Sequence, residues 1–134
     1  MILNISLLIN NLKNAIIINK RVIYFNYIKY IIYILYILKK EGYIYKFHIL
    51  KNKMNKNIND RKIKIYLKYY NDVSVINKIK LISKPSKIVY VKYKNIPIIR
   101  NNYGICLLST SKGIMSNIKA KYYKLGGKCL FYIY

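Results

Sequence analysis

Residues 27–50, YIKYIIYILYILKKEGYIYKFHIL, decide the fold. Before Gly42 the apolar side chains recur at helical spacing, with Ile28, Ile31, Ile32, Leu35 and Leu38 in one stripe. Lys39 and Lys40 fall in the last turn, where cations suit the helix dipole, and Gly42 reads as the C-cap. After that glycine the period changes to two, so Tyr43 to Leu50 reads as a strand. Upstream, Asn4 to Asn14 carries Ile5, Leu8, Ile9 and Leu12 at helical spacing, and Val22 to Phe25 is a short β-branched and aromatic run that reads as a strand. Downstream, Lys51 to Arg61 is a polar loop rich in Asn and Lys, and Lys62 to Tyr69 is a second strand. In it Ile63, Ile65, Leu67 and Tyr69 point one way, and Lys62, Lys64, Tyr66 and Lys68 the other. The two strands and their loop make a hairpin.

The expected fold is therefore α+β, with a helix-strand-helix-strand-strand unit over residues 1–71. Asn71 and Asp72 mark a turn and a boundary, and residues 72–134 form a β-rich unit with one short helix. Val73 to Ser83 is open between strand and short helix. Lys84-Pro85-Ser86 is a turn, and Lys87 to Lys94 alternates as a strand, with Ile88 and Tyr90 opposite Val89, Val91 and Tyr93. Asn95 to Tyr103 is a loop around Pro97. A strand over Ile105 to Leu108 then runs into Ser109-Thr110-Ser111-Lys112-Gly113, followed by a helix over Ser116 to Leu125, Gly126-Gly127 and a last strand, Cys129 to Tyr134.

Charge narrows the function. The 134 residues hold 26 Lys plus Arg against three acids and one His, a formal charge of +23. A folded chain of that charge repels itself unless an anionic partner supplies counter-charge, which disfavours a free metabolic enzyme. The hydrophobic fraction of 54% is too high for a disordered basic tail. Ile, Lys, Tyr and Asn dominate, all with codons rich in A and T, so part of the bias records an AT-rich genome. The charge excess still needs a physical reason.

A membrane span needs about 20 predominantly apolar residues. The best candidate, Val22 to Leu38, is shorter and is interrupted by Asn26 and Lys29. Met1 to Asn14 has neither a basic leader nor a small-residue cleavage site, and it is not an Arg- and Ser-rich transit peptide. A protein of this kind working in an organelle is expected to be made there. Cys106 and Cys129 read as small buried hydrophobes, and with the lone His48, an ordinary strand residue, they make no metal pattern. Glu41, Asp60 and Asp72 form no acid pair or triad. No enzyme activity, cofactor, metal or small-molecule substrate is expected.

Two features can carry binding chemistry. Ser109 to Gly113 puts three hydroxyls and a cation on a loop whose glycine tolerates unusual dihedrals, and it lacks the spacing of a phosphate-binding P-loop. It is open to two readings, a loop that hydrogen-bonds a sugar-phosphate backbone or the N-cap of the following helix. Lysines interleaved with tyrosines, in Lys62 to Tyr70 and Tyr90 to Lys94, can hold phosphates while rings stack on unpaired bases. They can equally be a solvated sheet face in a Tyr-biased chain.

From Ser83 onward the chain resembles the ribosomal protein S-eight family, the eighth protein of the small ribosomal subunit. The resemblance rests on Ser83-Lys84-Pro85-Ser86, Tyr90, Ile96-Pro97, Gly104-Ile105, Ser109-Thr110-Ser111-Lys112-Gly113-Ile114-Met115, Ala120, Gly126-Gly127 and Tyr132-Ile133. The N-terminal half matches through Lys13-Asn14-Ala15, Lys39 to Ile44 and Leu67-Lys68-Tyr69, in the same order. The resemblance implies an early-binding protein that docks on the central domain of small-subunit rRNA, beside neighbouring small-subunit ribosomal proteins, and supports assembly. Carried over by position, Ser109, Thr110 and Ser111 contact RNA in the minor groove, with Lys112 on phosphate. Tyr90 lies beside a base or ribose, and Ser86 and Lys87 add backbone contacts. A-form RNA is read there through 2′-hydroxyls and shape.

The chain departs from the family in four places. Lys128 stands where an acid is usual, Asn102 where glycine is common, Asn11 where a basic residue is usual, and the loop over Lys51 to Arg61 is long. The genome bias adds the expectation of a plastid ribosome of the reduced apicoplast type, with a mitochondrial ribosome or a bacterial symbiont as alternatives. The rival is a membrane-surface protein anchored by the basic amphipathic helix Tyr27 to Lys40, which requires its apolar stripe to be exposed.

Overall fold

The computed structural model describes residues 1–50 and 61–134. The chain is α+β: α1 (Ile2–Ile17), β1 (Val22–Asn26), α2 (Lys29–Lys40), β2 (Ile44–Leu50), β3 (Lys62–Leu67), β4 (Tyr69–Tyr70), β5 (Val73–Ser74), β6 (Ile79–Leu81), β7 (Tyr90–Val91), β8 (Ile105–Thr110), β9 (Gly113–Ser116), α3 (Asn117–Tyr122) and β10 (Gly127–Ile133). It divides into two compact units, Asn10–Val75 and Met1–Ile9 with Ile76–Tyr134, so α1 contributes residues to both.

In the unit Asn10–Val75, β1, β3 and β2 form an antiparallel sheet with β3 in the centre. The β2–β3 pair is the expected hairpin, and its expected loop falls on residues 51–60, outside the described residues. Alternation along β3 buries Ile63, Ile65 and Leu67 on one face, and α2 packs on β2 with Ile31, Ile34, Leu35 and Leu38 fully buried. Ile34 is buried where Ile32 is expected, Ile32 is only half-buried, and Ile28 is the extended N-cap of a helix that begins at Lys29. The apolar stripe that a membrane anchor would expose is therefore inside the protein, and no helix among the described residues is long and apolar enough to cross a membrane.

The C-cap of α2 is Glu41, not Gly42. Gly42 lies one position beyond at φ +83, where its N–H donates to the Lys39 carbonyl and the Tyr43 N–H donates to that of Leu38, a Schellman closure that needs the left-handed conformation. Strand β3 stops at Leu67, short of the expected Tyr69. Tyr69 and Tyr70 instead pair with Ser74 and Val73 across Asn71-Asp72, both at positive φ, the geometry of the two-residue hairpins that Asn and Asp favour.

The other unit is built on a sheet ordered β6-β10-β8-β9, with β7 also paired to β10. One face carries a core of Ile96, Cys106, Leu108, Met115, Ala120 and Cys129. Both cysteines are buried and free, and the Cys106 thiol is pushed up by its hydrogen bond with Cys129 and by burial. Asn117 is buried at the start of α3, where its side chain accepts from the Cys106 N–H and donates to the Pro97 carbonyl, tying β8 to the preceding loop. The segment open between strand and helix, Val73 to Ser83, holds β5 and β6. In place of the strand expected over Lys87 to Lys94, only Tyr90 and Val91 pair, with Lys128 and Gly127 of β10. Farther along, β10 is already paired with β6 at Phe131–Ile133, and a 3-10 turn at Tyr93–Asn95 ends the extended run. The alternation itself persists, with Ile88 and Tyr90 exposed and Val89 and Val91 half-buried.

Ser83 is fully buried, donating its hydroxyl to the Cys129 carbonyl and accepting from the Val89 N–H. Ser83→Ala strands both of these backbone partners away from water. The expected cost is about 1–3 kcal/mol, read as a lower urea midpoint at unchanged m-value. A midpoint equal to that of the unsubstituted chain would contradict it.

Candidate nucleic-acid interface

Ser109 to Gly113 is the connection of a β-hairpin and not a strand-to-helix loop. Strand β8 continues through Ser109 and Thr110, beyond its expected end at Leu108, and Thr110 pairs with Gly113 at the start of β9. Ser111 and Lys112 form the exposed tip, and Gly113 supplies the positive φ, +104. The helix expected over Ser116 to Leu125 is shorter, Asn117–Tyr122, and begins after β9. Its N-cap is Ser116, which makes no side-chain capping bond, so none of Ser109, Thr110 and Ser111 serves as a helix cap.

The Thr110 hydroxyl braces the tip. It donates to the Gly113 carbonyl at 2.9 Å and accepts from the Lys112 N–H at 3.3 Å. A hydroxyl has one proton and two lone pairs. One lone pair therefore stays open toward an outside donor such as a ribose 2′-hydroxyl. Lys112 reaches back over the Tyr123 ring, with Nζ 5.5 Å from its centroid, so the tip and the end of α3 present a cation beside an aromatic ring.

Behind the tip, strand register brings distant residues into one row. Lys128 pairs with Tyr90 on one side and with Ser109 on the other, and Ser109 pairs with Ile114. Directly opposed residues share a face, so Tyr90, Lys128 and Ser109 lie side by side on the face opposite Leu108 and Cys129. Tyr90 is 71% exposed. Close approach of β10 to β8 depends on Gly127, where a Cβ would run into the Ser109 carbonyl oxygen.

Ser86 and Lys87 belong to a separate turn, closed by reciprocal backbone bonds between Lys84 and Lys87 and anchored on β10 through Ser83. Residue type alone marks Lys128 as a departure from the family's usual acid, open to a phosphate contact, and gives it no neighbours in the fold. Only the register across β7, β10 and β8 places it between Tyr90 and Ser109, and the adjoining double glycine is the signal that strands approach closely there. This unit contains no Asp or Glu, so every charged side chain in it is cationic. Such a surface attracts polyanions along its whole extent. Asn102, where glycine is common in the family, takes φ +70, a conformation that Asn tolerates better than most residues.

An α+β chain in which a basic, β-rich unit carries a hydroxyl-and-lysine hairpin has the architecture of a small ribosomal protein. The family model for ribosomal protein S8 matches residues 4–134, and the chain belongs to that family. It is similar to the small ribosomal subunit protein uS8 of Wigglesworthia glossinidia brevipalpis, 35% identical over 96% of this chain and 95% of that protein. It is 37% identical to the uS8c of Bigelowiella natans, over 98% of both chains. The uS8 of Buchnera aphidicola from Cinara cedri is 45% identical over 72% of this chain and 69% of its own. The family comprises structural, non-enzymatic constituents of the small ribosomal subunit.

Proposed function

We propose that this chain binds the central domain of small-subunit rRNA directly and supports assembly of the subunit, using Ser109, Thr110, Ser111 and Lys112, with Tyr90, Ser86 and Lys87. The observation that carries the reading is the row Tyr90–Lys128–Ser109, continued by an exposed Ser111-Lys112 tip in a unit without acids. Hydroxyls and a braced turn suit the shallow minor groove of A-form RNA, and the lysines suit its flanking phosphates. The test compares affinity for a central-domain fragment with affinity for an unrelated RNA duplex at moderate salt. The fragment binds far more tightly on this reading, and equal affinities would sink it.

Thr110→Ala removes both the brace and the open acceptor. It is expected to weaken binding to the fragment by about fivefold to thirtyfold while changing duplex binding little. A uniform loss on both RNAs, in the same titrations, contradicts groove contact.

The host ribosome in this reading is that of a plastid of the AT-rich apicoplast type. The amino-acid bias toward residues with A- and T-rich codons supports it, as does the plastid-type relative from Bigelowiella natans. Immunodetection in separated organelles distinguishes it from a mitochondrial ribosome.

A further inference from the structure

The outer face of the β1–β3–β2 sheet carries a compact lattice of rings and cations that the hairpin interface does not use. Register sets Tyr24 opposite Lys64 and Asn26 opposite Lys62 on one side of β3, and Lys46 opposite Tyr66 and His48 opposite Lys64 on the other. All of these share the face opposite Ile63 and Ile65. The Lys64 Nζ lies 5.9 Å from the Tyr24 ring centroid and 5.0 Å from that of Tyr66, and the Lys46 Nζ lies 4.9 Å from the Tyr66 ring. His48 meets Tyr66 edge-on at 5.8 Å. No residue of this face among those described is acidic, and Tyr24 is 54% exposed.

We propose that this sheet face is a second RNA site, which holds an unpaired stretch of RNA by stacking bases on Tyr24 and Tyr66 while Lys46, Lys62 and Lys64 hold the phosphates. The inference concerns residues that the hairpin reading does not involve. Sheet geometry spaces side chains on one face at about 5 Å across strands and about 7 Å along them. A flat array of that kind suits splayed bases, whereas a duplex keeps its bases stacked inside. Rings are sequence-tolerant platforms because every base has a π-face, and the cations between them add phosphate contacts. Lys64 is well placed for this, since its Nζ lies between the Tyr24 and Tyr66 rings on the exposed side of the central strand. An unpaired anionic strand fits the face better than a lipid surface does, because its rings are interleaved with Lys46, Lys62 and Lys64, and the exposed Leu50, opposite Lys62, lies at the end of the sheet.

The test uses the full chain and a fluorescein-labelled oligouridine, followed by anisotropy at about 100 mM salt. Tyr24→Leu is expected to weaken oligouridine binding about tenfold. The double substitution Lys46→Gln with Lys64→Gln, which spares the buried face, is expected to weaken it at least as much and to flatten the salt dependence. Lys39→Gln with Lys40→Gln, at exposed sites on α2, removes the same charge and should cost much less. Thr110→Ala should leave oligouridine binding unchanged, which separates this site from the hairpin. The proposal is overturned by no oligouridine binding by the unsubstituted chain, by an equal loss in the α2 control, or by an equal loss in Thr110→Ala. Capture by phosphatidylserine-containing vesicles that Tyr24→Leu abolishes, with oligouridine binding untouched, also overturns it.

Discussion

Replacing both Lys112 and Lys128 by Glu is expected to lower affinity for a central-domain rRNA fragment by about 100-fold or more. Lys112 is exposed at the hairpin tip and Lys128 lies between Tyr90 and Ser109 in the row behind it. Among the described residues neither makes an ion pair whose loss would unfold the chain. On the proposed reading each substitution exchanges a phosphate attraction for a repulsion in the face that seats on the RNA. The neutral pair Lys112→Gln with Lys128→Gln isolates the counterion part. Two lost phosphate contacts should reduce the slope of log affinity against log salt by about 1.5. Titrations of the fragment across a salt series read both quantities. A loss below about threefold, the size of an indifferent surface-charge change, contradicts the assignment.

Gly127→Ala is expected to destabilise the fold by about 3 kcal/mol, at the upper end of overpacking costs. The added methyl would run into the carbonyl oxygen of Ser109 and would sit 3.1 Å from the Thr110 Cα. Both neighbours are backbone and cannot rotate away. Relief requires β8 to move off β10, where the Lys128–Ser109 pair is formed, so RNA binding should fall together with stability. Gly113→Ala provides the contrast, because its methyl would meet nothing within 4 Å and only its φ of +104 opposes it. That variant should lose about 1–2 kcal/mol and keep the sheet pairing. Thermal and urea unfolding of the two variants, side by side, test the distinction. Similar small losses in both would show that β8 and β10 are not as tightly apposed as described.

Much of the architecture was legible because alternation and helical spacing are local signals. The stripe Ile5, Leu8, Ile9 and Leu12, the run Ile63, Ile65 and Leu67, and the positions of α2, β2 and β3 follow from periods that a few residues define. Boundaries set by partners far away in the sequence were not legible. Whether residues 87–94 make a full strand depends on how much of β10 is left unpaired by β6, and whether β3 continues to Tyr69 depends on the competing hairpin across Asn71-Asp72. The hairpin at Ser109 to Gly113 was misplaced for a related reason. Ile114 to Ser116 is too short a run to announce a strand, and it becomes one only by pairing with Leu107, Leu108 and Ser109.

The interface was legible as composition and not as geometry. Three hydroxyls and a lysine in a row were visible in the sequence. That Thr110 braces its own turn, or that Lys128 joins Tyr90 to Ser109, depends on register. Among the described residues Arg21 pairs with Asp72 at 3.2 Å, and both side chains are so exposed that the pair adds little to stability. The charge of +23 thus finds almost no internal compensation among the described residues, as suits a protein that is completed by a polyanion.

The most direct test of the central claim is lysine acetylation of the chain, free and bound to the central-domain rRNA fragment, with modification quantified residue by residue. Protection of Lys112, Lys128 and Lys87 in the complex, lost in Thr110→Ala at matched RNA concentration, is the result expected if the hairpin face seats on the RNA. Acetylation of Lys112 and Lys128 at the same rate with and without bound RNA would contradict it.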